Sequence, residues 1–305
     1  MEREEQWINS QALRLTSLDP CAPHEDLRPF QDRLRGATVV GLGMSSRGTH
    51  ELATIAHRML RFLVEELGFR SLSLEGDDAA SAELDAYVRT GRGDPREVLA
   101  GARSFLRTEE ILDAVRWIRS RNERHPDDQV RLALADETVG PGQDLADIER
   151  GLAENTIRWH ERTRHKIVYW GGLAHLVNGA ARTVSPGALS HRNAGSYLRE
   201  RFGAGYVPVA LTFRDGSPWY EVPAPPVDFA ETVLAAGPDA YVLDLHADAP
   251  ADVRAWLDAP TRTRLIGPHY DPADDASYNL SGGSLAEWLD LVVHVREVSA
   301  ARLLS

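Results

Sequence analysis

Short β-branched runs punctuate the chain: "ATVVGLG" at 37–43, "SLSLE" at 71–75, "VRLALA" at 130–135, "KIVYW" at 166–170, "YVPVALTF" at 206–213, "AYVLDL" at 240–245 and "LVVHVREV" at 291–298. Their length and their content of Val, Ile and Tyr read as strands. Between most of them the apolar positions take up a helical period. Leu52, Ile55, Met59, Leu63 and Leu67 mark one face of a first helix, and Ile111, Val115 and Ile118 mark another after "RTEE". Leu145, Ile148, Leu152 and Trp159 mark a third over 144–162. Alternation of strand and helix predicts an α/β protein with a largely parallel central sheet flanked by helices. Three stretches break the pattern: "TVGPGQD" at 138–144, 177–195 and 268–286. Their Gly, Pro, Ser and Asn content reads as loops that border a site.

Composition narrows the function. With 305 residues, 43% hydrophobic and 26% charged, the chain can bury a full core and reads as one large domain or two small ones, of which a single domain over 1–305 is the expectation. A net charge of −12 argues against a nucleic-acid footprint, which needs a dense basic face. A small-molecule substrate is the expected partner, and a homodimer is left open. The start, "MEREEQWINSQALRL", is acidic and polar rather than a secretory signal. Nowhere do about 18 apolar residues run uninterrupted, so no membrane span and a cytoplasmic location are expected. The one cysteine, Cys21, sits in the proline-flanked "LDPCAPHEDL" and reads as an inert thiol.

In open α/β sheets ligands sit beyond the carboxyl ends of the strands. Those positions are polar here: Ser45, Ser46, Arg47, His50 and Glu51 after the first strand, Glu75 with Asp77 at the second, and Trp170 followed by two glycines and His175 after the fourth. Singly, each is an ordinary solvated turn residue; together they outline a site. Glu75 closes an apolar run and precedes a glycine, so it reads as partly buried. A nearby cation lowers a buried carboxyl's pKa and desolvation raises it, so Glu75 suits a base, a histidine anchor or a structural ion pair. Asn155 lies on the predicted apolar face of its helix, where a polar group must be satisfied by a site or by a buried hydrogen bond. The G-x-S-x-G elbow, the Walker loop, the H-E-x-x-H helix and the full G-x-G-x-x-G fingerprint are absent. His50 and His57 are seven residues apart, too far for one zinc ion without a bridging ligand, so neither metal nor cofactor is expected.

The segments "RGTHELATIAHRMLRFLVEELGF", "LSLEGDDAASAELDAYVRTGRGDPREVLAG", "RTEEILDAVRWIRSRN", "ERGLAENTIRW", "IVYWGGLAH", "GSYLRERFGAGYVPVALTF" and "EWLDLVVHVREVSAARLL" occur in an order that resembles the erythromycin esterase family. Its members open a macrolide lactone by hydrolysis, and relatives occur in polysaccharide clusters. The resemblance implies a first-strand motif G-E-x-x-H-G-x-x-E whose histidine activates water. Gly43, Gly48 and Glu51 fit that motif, whereas Met44 and Arg47 take the glutamate and histidine places. Leu74 and Glu75 meet the second motif, with Asp77 in a glycine's place. Of a W-A-H-N-x-H motif, Trp170 and His175 remain, and Gly172 and Leu173 replace the first histidine and the asparagine. The family's helical lid insertion is largely absent near 136–146.

An arginine cannot deprotonate water at ordinary pH, so the missing histidine redirects the expected chemistry. The first expectation is an erythromycin esterase-like tailoring enzyme for a secondary-metabolite or glycan-like molecule. It works by cyclisation, dehydration or acyl rearrangement, with Glu75 and His175 as acid and base and Arg47 on developing negative charge. Ser45, Ser46, His50, Glu51, Asp77, Trp170 and Asn155 are its expected substrate contacts. The alternatives are an esterase using His175 or Glu75 as base, and a binding protein on the same scaffold.

Overall fold

The apolar runs become the inner strands of a mixed sheet. The computed structural model describes residues 2–76, 78–136, 139–140, 143–179, 181–185, 189–267 and 269–304. The strands in chain order are β1 Leu13–Arg14, β2 Val39–Met44, β3 Phe69–Leu74, β4 Arg131–Leu132, β5 Lys166–Gly172, β6 Arg182–Val184, β7 Leu189–His191, β8 Tyr206–Ser217, β9 Ala240–Asp244, β10 Thr261–Arg264, β11 Asn279–Gly283 and β12 Leu291–Ser299. The helices are α1 Glu2–Gln11, α2 Gln31–Arg35, α3 His50–Leu67, α4 Asp78–Thr90, α5 Pro95–Gly101, α6 Glu109–Arg124, α7 Leu145–Thr163, α8 Leu173–Leu176, α9 Ala194–Phe202, α10 Ala230–Leu234, α11 Ala251–Asp258 and α12 Leu285–Trp288.

The main sheet is eight-stranded, in the order β1-β9-β12-β8-β2-β5-β3-β4. From β12 to β4 neighbouring strands run parallel, while β9 is antiparallel to β12 and β1 antiparallel to β9. The chain leaves β2 through α3 for β3 on one side and returns later as β8 on the other. That reversal makes the carboxyl end of β2 the switch point where such sheets bind ligands.

Strand β2 is buried along its whole length, as a strand covered on both faces must be. Val40, Leu42 and Met44 pack into the core beneath α3 and α6, and Val39 packs with α7 and α9 on the other face. Gly41 and Gly43 occupy the rest of that second face because a side chain there has no room. A Cβ at Gly41 would lie 2.9 Å from Tyr206 Oη, and one at Gly43 would lie 3.0 Å from Leu173 Cα. These two glycines therefore allow close packing of β8 and α8 rather than shaping a ligand loop.

The first helix follows its pattern. Leu52, Ile55, Met59, Leu63 and Leu67 are buried, and Gly68 ends the helix at φ 75° with its N–H on Leu63 O. The third helix departs from its pattern. α7 buries Glu149, Ala153, Thr156 and Trp159 and leaves Leu145, Ile148 and Leu152 half-buried. The stripe is turned by one position, which brings Glu149 inward to cations described below.

The stretches read as loops are partly ordered. They supply β6, β7 and β11, which join β10 in a four-stranded antiparallel sheet of order β10-β11-β6-β7. Strands this short, carrying Ser, Thr, Arg and Gly, show too little alternation to be read from sequence. Among the described residues no helix is long and apolar enough to cross a membrane.

Candidate functional site

The turn after β2 is pinned from both sides. Ser45 N donates to Leu211 O at 3.0 Å, Ile266 N donates to Ser45 O at 2.8 Å, and Thr49 Oγ1 donates to Ser46 O at 2.9 Å. Held in this way, the turn directs Arg47 toward the end of β3, where its Nη2 donates to Glu75 Oε1. The Arg47 guanidinium lies 4.1 Å from the centroid of the Phe105 ring, a cation–π contact. Glu75 is itself fixed, with its N–H on Trp170 O at 3.1 Å and its Oε2 accepting Gly172 N–H at 3.1 Å.

The paired glycines at the end of β5 make this arrangement possible. A Cβ at Gly171 would lie 2.2 Å from Glu75 Oε2, and one at Gly172 would lie 2.7 Å from Arg47 Nη2. The side chains of Glu75 and Arg47 occupy the space that larger residues would fill.

One turn later His175 closes the group. Its Nε2 lies 3.6 Å from Glu75 Oε1, and its Nδ1 lies 2.9 Å from Glu149 Oε1. Glu149 also accepts from Arg182 Nη2 and from Ala194 N at 2.8 Å, with His191 Nε2 at 3.4 Å. Glu149 and Arg182 are fully buried, with side-chain exposures of 0% and 1%, so each must be answered by the other. Burial works against a proton on His175, but the carboxylates of Glu75 and Glu149 outweigh it and raise its pKa above the ordinary value. For Glu149 burial acts upward, and His175, His191 and Arg182 outweigh it and hold the carboxyl well below its usual range. The result is an alternating row of charge: Arg47, Glu75, His175, Glu149, Arg182.

Arg47, Glu75 and His175 all line one cavity of about 530 Å³, with Ser46, Phe105 and Trp219 among its other walls. Drug-sized ligands occupy cavities of this size. The remaining candidates fall elsewhere. Ser45 is buried behind the turn, and its Oγ has no partner among the described residues. Trp170 is buried beneath the site and donates to Met44 Sδ at 3.1 Å. Asn155 accepts from Asp136 N at 3.1 Å, in a separate recess behind Glu75. Asp77 lies outside the described residues.

His50 and Glu51 belong to a different region, contrary to the expectation from their place after the strand. The first turn of α3 points them away from the cavity. His50 Nδ1 meets Glu110 Oε1 at 2.6 Å, and Glu51 accepts from Ser299 N at 2.6 Å and Ser299 Oγ at 2.7 Å. Conversely, Glu149 was not among the residues singled out from sequence. Its signal was the buried spacing Glu149, Ala153, Thr156, Trp159, masked by the more apolar stripe beside it.

A sequence profile of the erythromycin esterase family matches residues 64–136 and 141–298. The chain belongs to the erythromycin esterase family. Erythromycin esterase type II of Escherichia coli is 26% identical over 121 residues, which are 40% of this chain and 29% of that protein. This chain thus aligns with less than a third of that relative. Among solved structures, a Bacillus cereus protein superposes with a TM-score of 0.85 at 20% identity, covering 100% of this chain and 99% of its own. A succinoglycan biosynthesis protein gives 0.85 at 20% identity, covering 99% and 98%. An erythromycin esterase variant in its open conformation gives 0.67 at 14%, covering 94% and 98%. These likenesses establish the fold. The sequence resemblance implies that Arg47 takes the place of the motif histidine and Gly172 the place of a second histidine. The two departures fit together, because the side chain missing at Gly172 is what gives the Arg47 guanidinium its seat.

Proposed function

We propose that this family member is an acid–base enzyme acting on a secondary-metabolite or glycan-like small molecule by a step other than simple ester hydrolysis. Cyclisation, dehydration and acyl rearrangement are the reaction types in view. The observation that carries this reading is Arg47. A permanent cation, paired with Glu75 and seated over Gly172, occupies the place of the water-activating histidine. A base has been exchanged for a group that stabilises negative charge as it develops.

The neighbours fit such a step. His175, held toward its charged form, presents an acid at Nε2 while Nδ1–H is anchored on Glu149. Glu75, fixed by Arg47 and by Gly172 N–H, supplies the carboxylate that accepts a proton. In a dehydration, Glu75 takes the proton from carbon, Arg47 steadies the anion that forms, and His175 protonates the departing hydroxyl so that water leaves. The relative that is a succinoglycan biosynthesis protein supports a glycan-like substrate.

Residual hydrolysis has one observation in its favour, the Escherichia coli esterase relative. With His175 as its base it requires a neutral imidazole, whereas His175 lies between two carboxylates that favour its proton; with Glu75 as its base it requires a carboxylate that is already paired with Arg47. The test is incubation with a macrolide lactone and a panel of simple esters. Release at background rates by folded protein is expected. Hydrolysis that disappears in His175→Ala would instead make the chain an esterase. If Glu75→Gln and His175→Ala both leave formation of the native product unchanged, the scaffold only binds.

A further inference from the structure

The chain carries 46 acidic against 34 basic residues, yet the cavity wall reverses that balance. Its described lining residues include two arginines, Arg47 and Arg103, and two histidines, His175 and His269, against the single carboxylate of Glu75. A cleft whose sign opposes that of the surrounding protein concentrates ligands of the opposite charge.

Two of these side chains are already answered. Arg47 is paired with Glu75, and His175 sits between Glu75 and Glu149. Arg103 is different. It is half-buried, it lines the same cavity, and among the described residues nothing accepts a hydrogen bond from its guanidinium or forms an ion pair with it. Its position is nevertheless prepared. Nη2 lies where it would be 2.9 Å from a Cβ at Gly140, so the glycine of the β4–α7 connection leaves room for it. Next to it in the chain come Ser104 and Phe105, and Trp219, Tyr220 and Tyr278 line the same cavity. A planar guanidinium with no internal partner matches a carboxylate or phosphate by two parallel hydrogen bonds, and aromatic walls match the face of a ring.

We infer that the cavity takes a ring compound bearing an oxyanionic group, an acid sugar or an aromatic acid, and that Arg103 is the residue that selects for the anion. This rests on the cavity being the substrate site, and it names the class of substrate. Arg103 is a binding residue on this view, placed beside the acid–base group rather than within it. Its pairing with the ligand fixes which part of the ring faces Glu75 and His175.

Calorimetric titration of the whole protein with glucuronate and 4-hydroxybenzoate, each beside its neutral methyl ester, and with inorganic phosphate tests this directly. At least one acid binds about tenfold or more tightly than its ester, a difference of about 1.4 kcal/mol. The acid that shows it separates sugar from aromatic sources. Arg103→Gln brings the ratio to about one, Arg103→Lys restores part of it, and circular dichroism matches the parent. Equal binding of acid and ester, failure of every acid to bind, or a preference that survives in Arg103→Gln overturns the inference; so does phosphate binding alone, since it leaves the ring unsupported. Because binding is read without turnover, an inert protein that still prefers the acid through Arg103 would sink the acid–base reading and leave this one standing.

Discussion

Glu149 and Glu110 are both buried carboxylates, and each is bracketed by a histidine and an arginine. Around Glu149 stand His175 and Arg182; around Glu110 stand His50 at 2.6 Å and Arg302 at 3.1 Å. The two groups use the same residue types for different ends. Every bond of the Glu110 group ties the C-terminal segment to α3 and α6. Glu110 also accepts Arg302 N–H, Glu109 N donates to Arg302 O at 2.8 Å, and Glu51 holds Ser299. The Glu149 group differs by one further carboxylate. Glu75 lies on the far side of His175, facing the cavity, so the histidine is both anchored and presented. A His–Glu–Arg cluster is therefore not a site by composition. The Glu110 group also borders open space, a cavity of about 700 Å³ lined by His50, Glu110 and Arg302, so what marks the Glu149 group is that its histidine stands between two carboxylates, one of them paired with Arg47.

The largest expected effect separates the clusters by function. Glu75→Gln and His175→Ala lower kcat/KM for the native substrate by about 10²- to 10⁴-fold, the usual worth of positioned acid–base groups. His50→Ala leaves kcat/KM per folded molecule near the parent value. Steady-state kinetics on chromatographically monomerised, folded protein reads both, and a His50→Ala loss as deep as that of His175→Ala would erase the distinction.

Next comes stability. Glu149→Gln strands Arg182, which is 1% exposed, and costs about 3–5 kcal/mol, as removing one partner of a buried pair does. Glu110→Gln costs less, about 1.5–3 kcal/mol, because its charged hydrogen bonds go to an Arg302 side chain that is 58% exposed and can turn to water. Urea unfolding midpoints at constant m-value measure the two. A larger loss for Glu110→Gln would reverse the roles assigned to them.

A smaller change probes the seat of the arginine. Gly172→Ala places a methyl 2.7 Å from Arg47 Nη2 and displaces the guanidinium without touching the Glu110 cluster. Activity falls by up to about 10²-fold, the effect of misplacing a catalytic group by about an ångström, while the unfolding midpoint moves little. A double variant with Arg47→His, the residue that the sequence resemblance implies for that place, shows a milder relative effect of the alanine. An equal effect in both backgrounds would show that Gly172 does not serve Arg47.

The contrast also explains what could be read from the sequence. The sheet was legible because strands buried on both faces are continuous apolar runs, and β2, β3, β5, β8, β9 and β12 all lie where those runs are. Glu75 was legible because it follows directly on such a run, and His175 because it comes a few residues after one. Position after a strand does not fix direction, however. One residue past the turn the first helical turn of α3 has rotated, so Arg47 meets the cavity and His50 meets Glu110. Glu149 was hidden for a second reason. Besides His175, its partners are Arg182, His191 and Ala194 N–H, which lie in a stretch that reads as loop and folds into short polar strands and a helix start.

The finest test of the comparison is pH. The His175 pKa is raised, so its share of stability is complete below the ordinary value of 6.5 and is lost as pH rises through the folded value. Glu149 and Glu110 are lowered, so their shares are present above 4.5 and are lost as pH falls through their folded values. Acid lability is thus common to both clusters. The alkaline limb belongs to the Glu149 cluster, because the acid at His175 Nε2 disappears on that side and activity falls with it. Glu149→Gln removes one of the two carboxylates that hold the proton, so the alkaline limb of the kcat profile moves to lower pH. Glu110→Gln, acting on the other side of α3, leaves the limb where it was. If both variants moved the limb alike, or neither did, the proton on His175 would not be what distinguishes the two clusters, and the general-acid role given to it would fall.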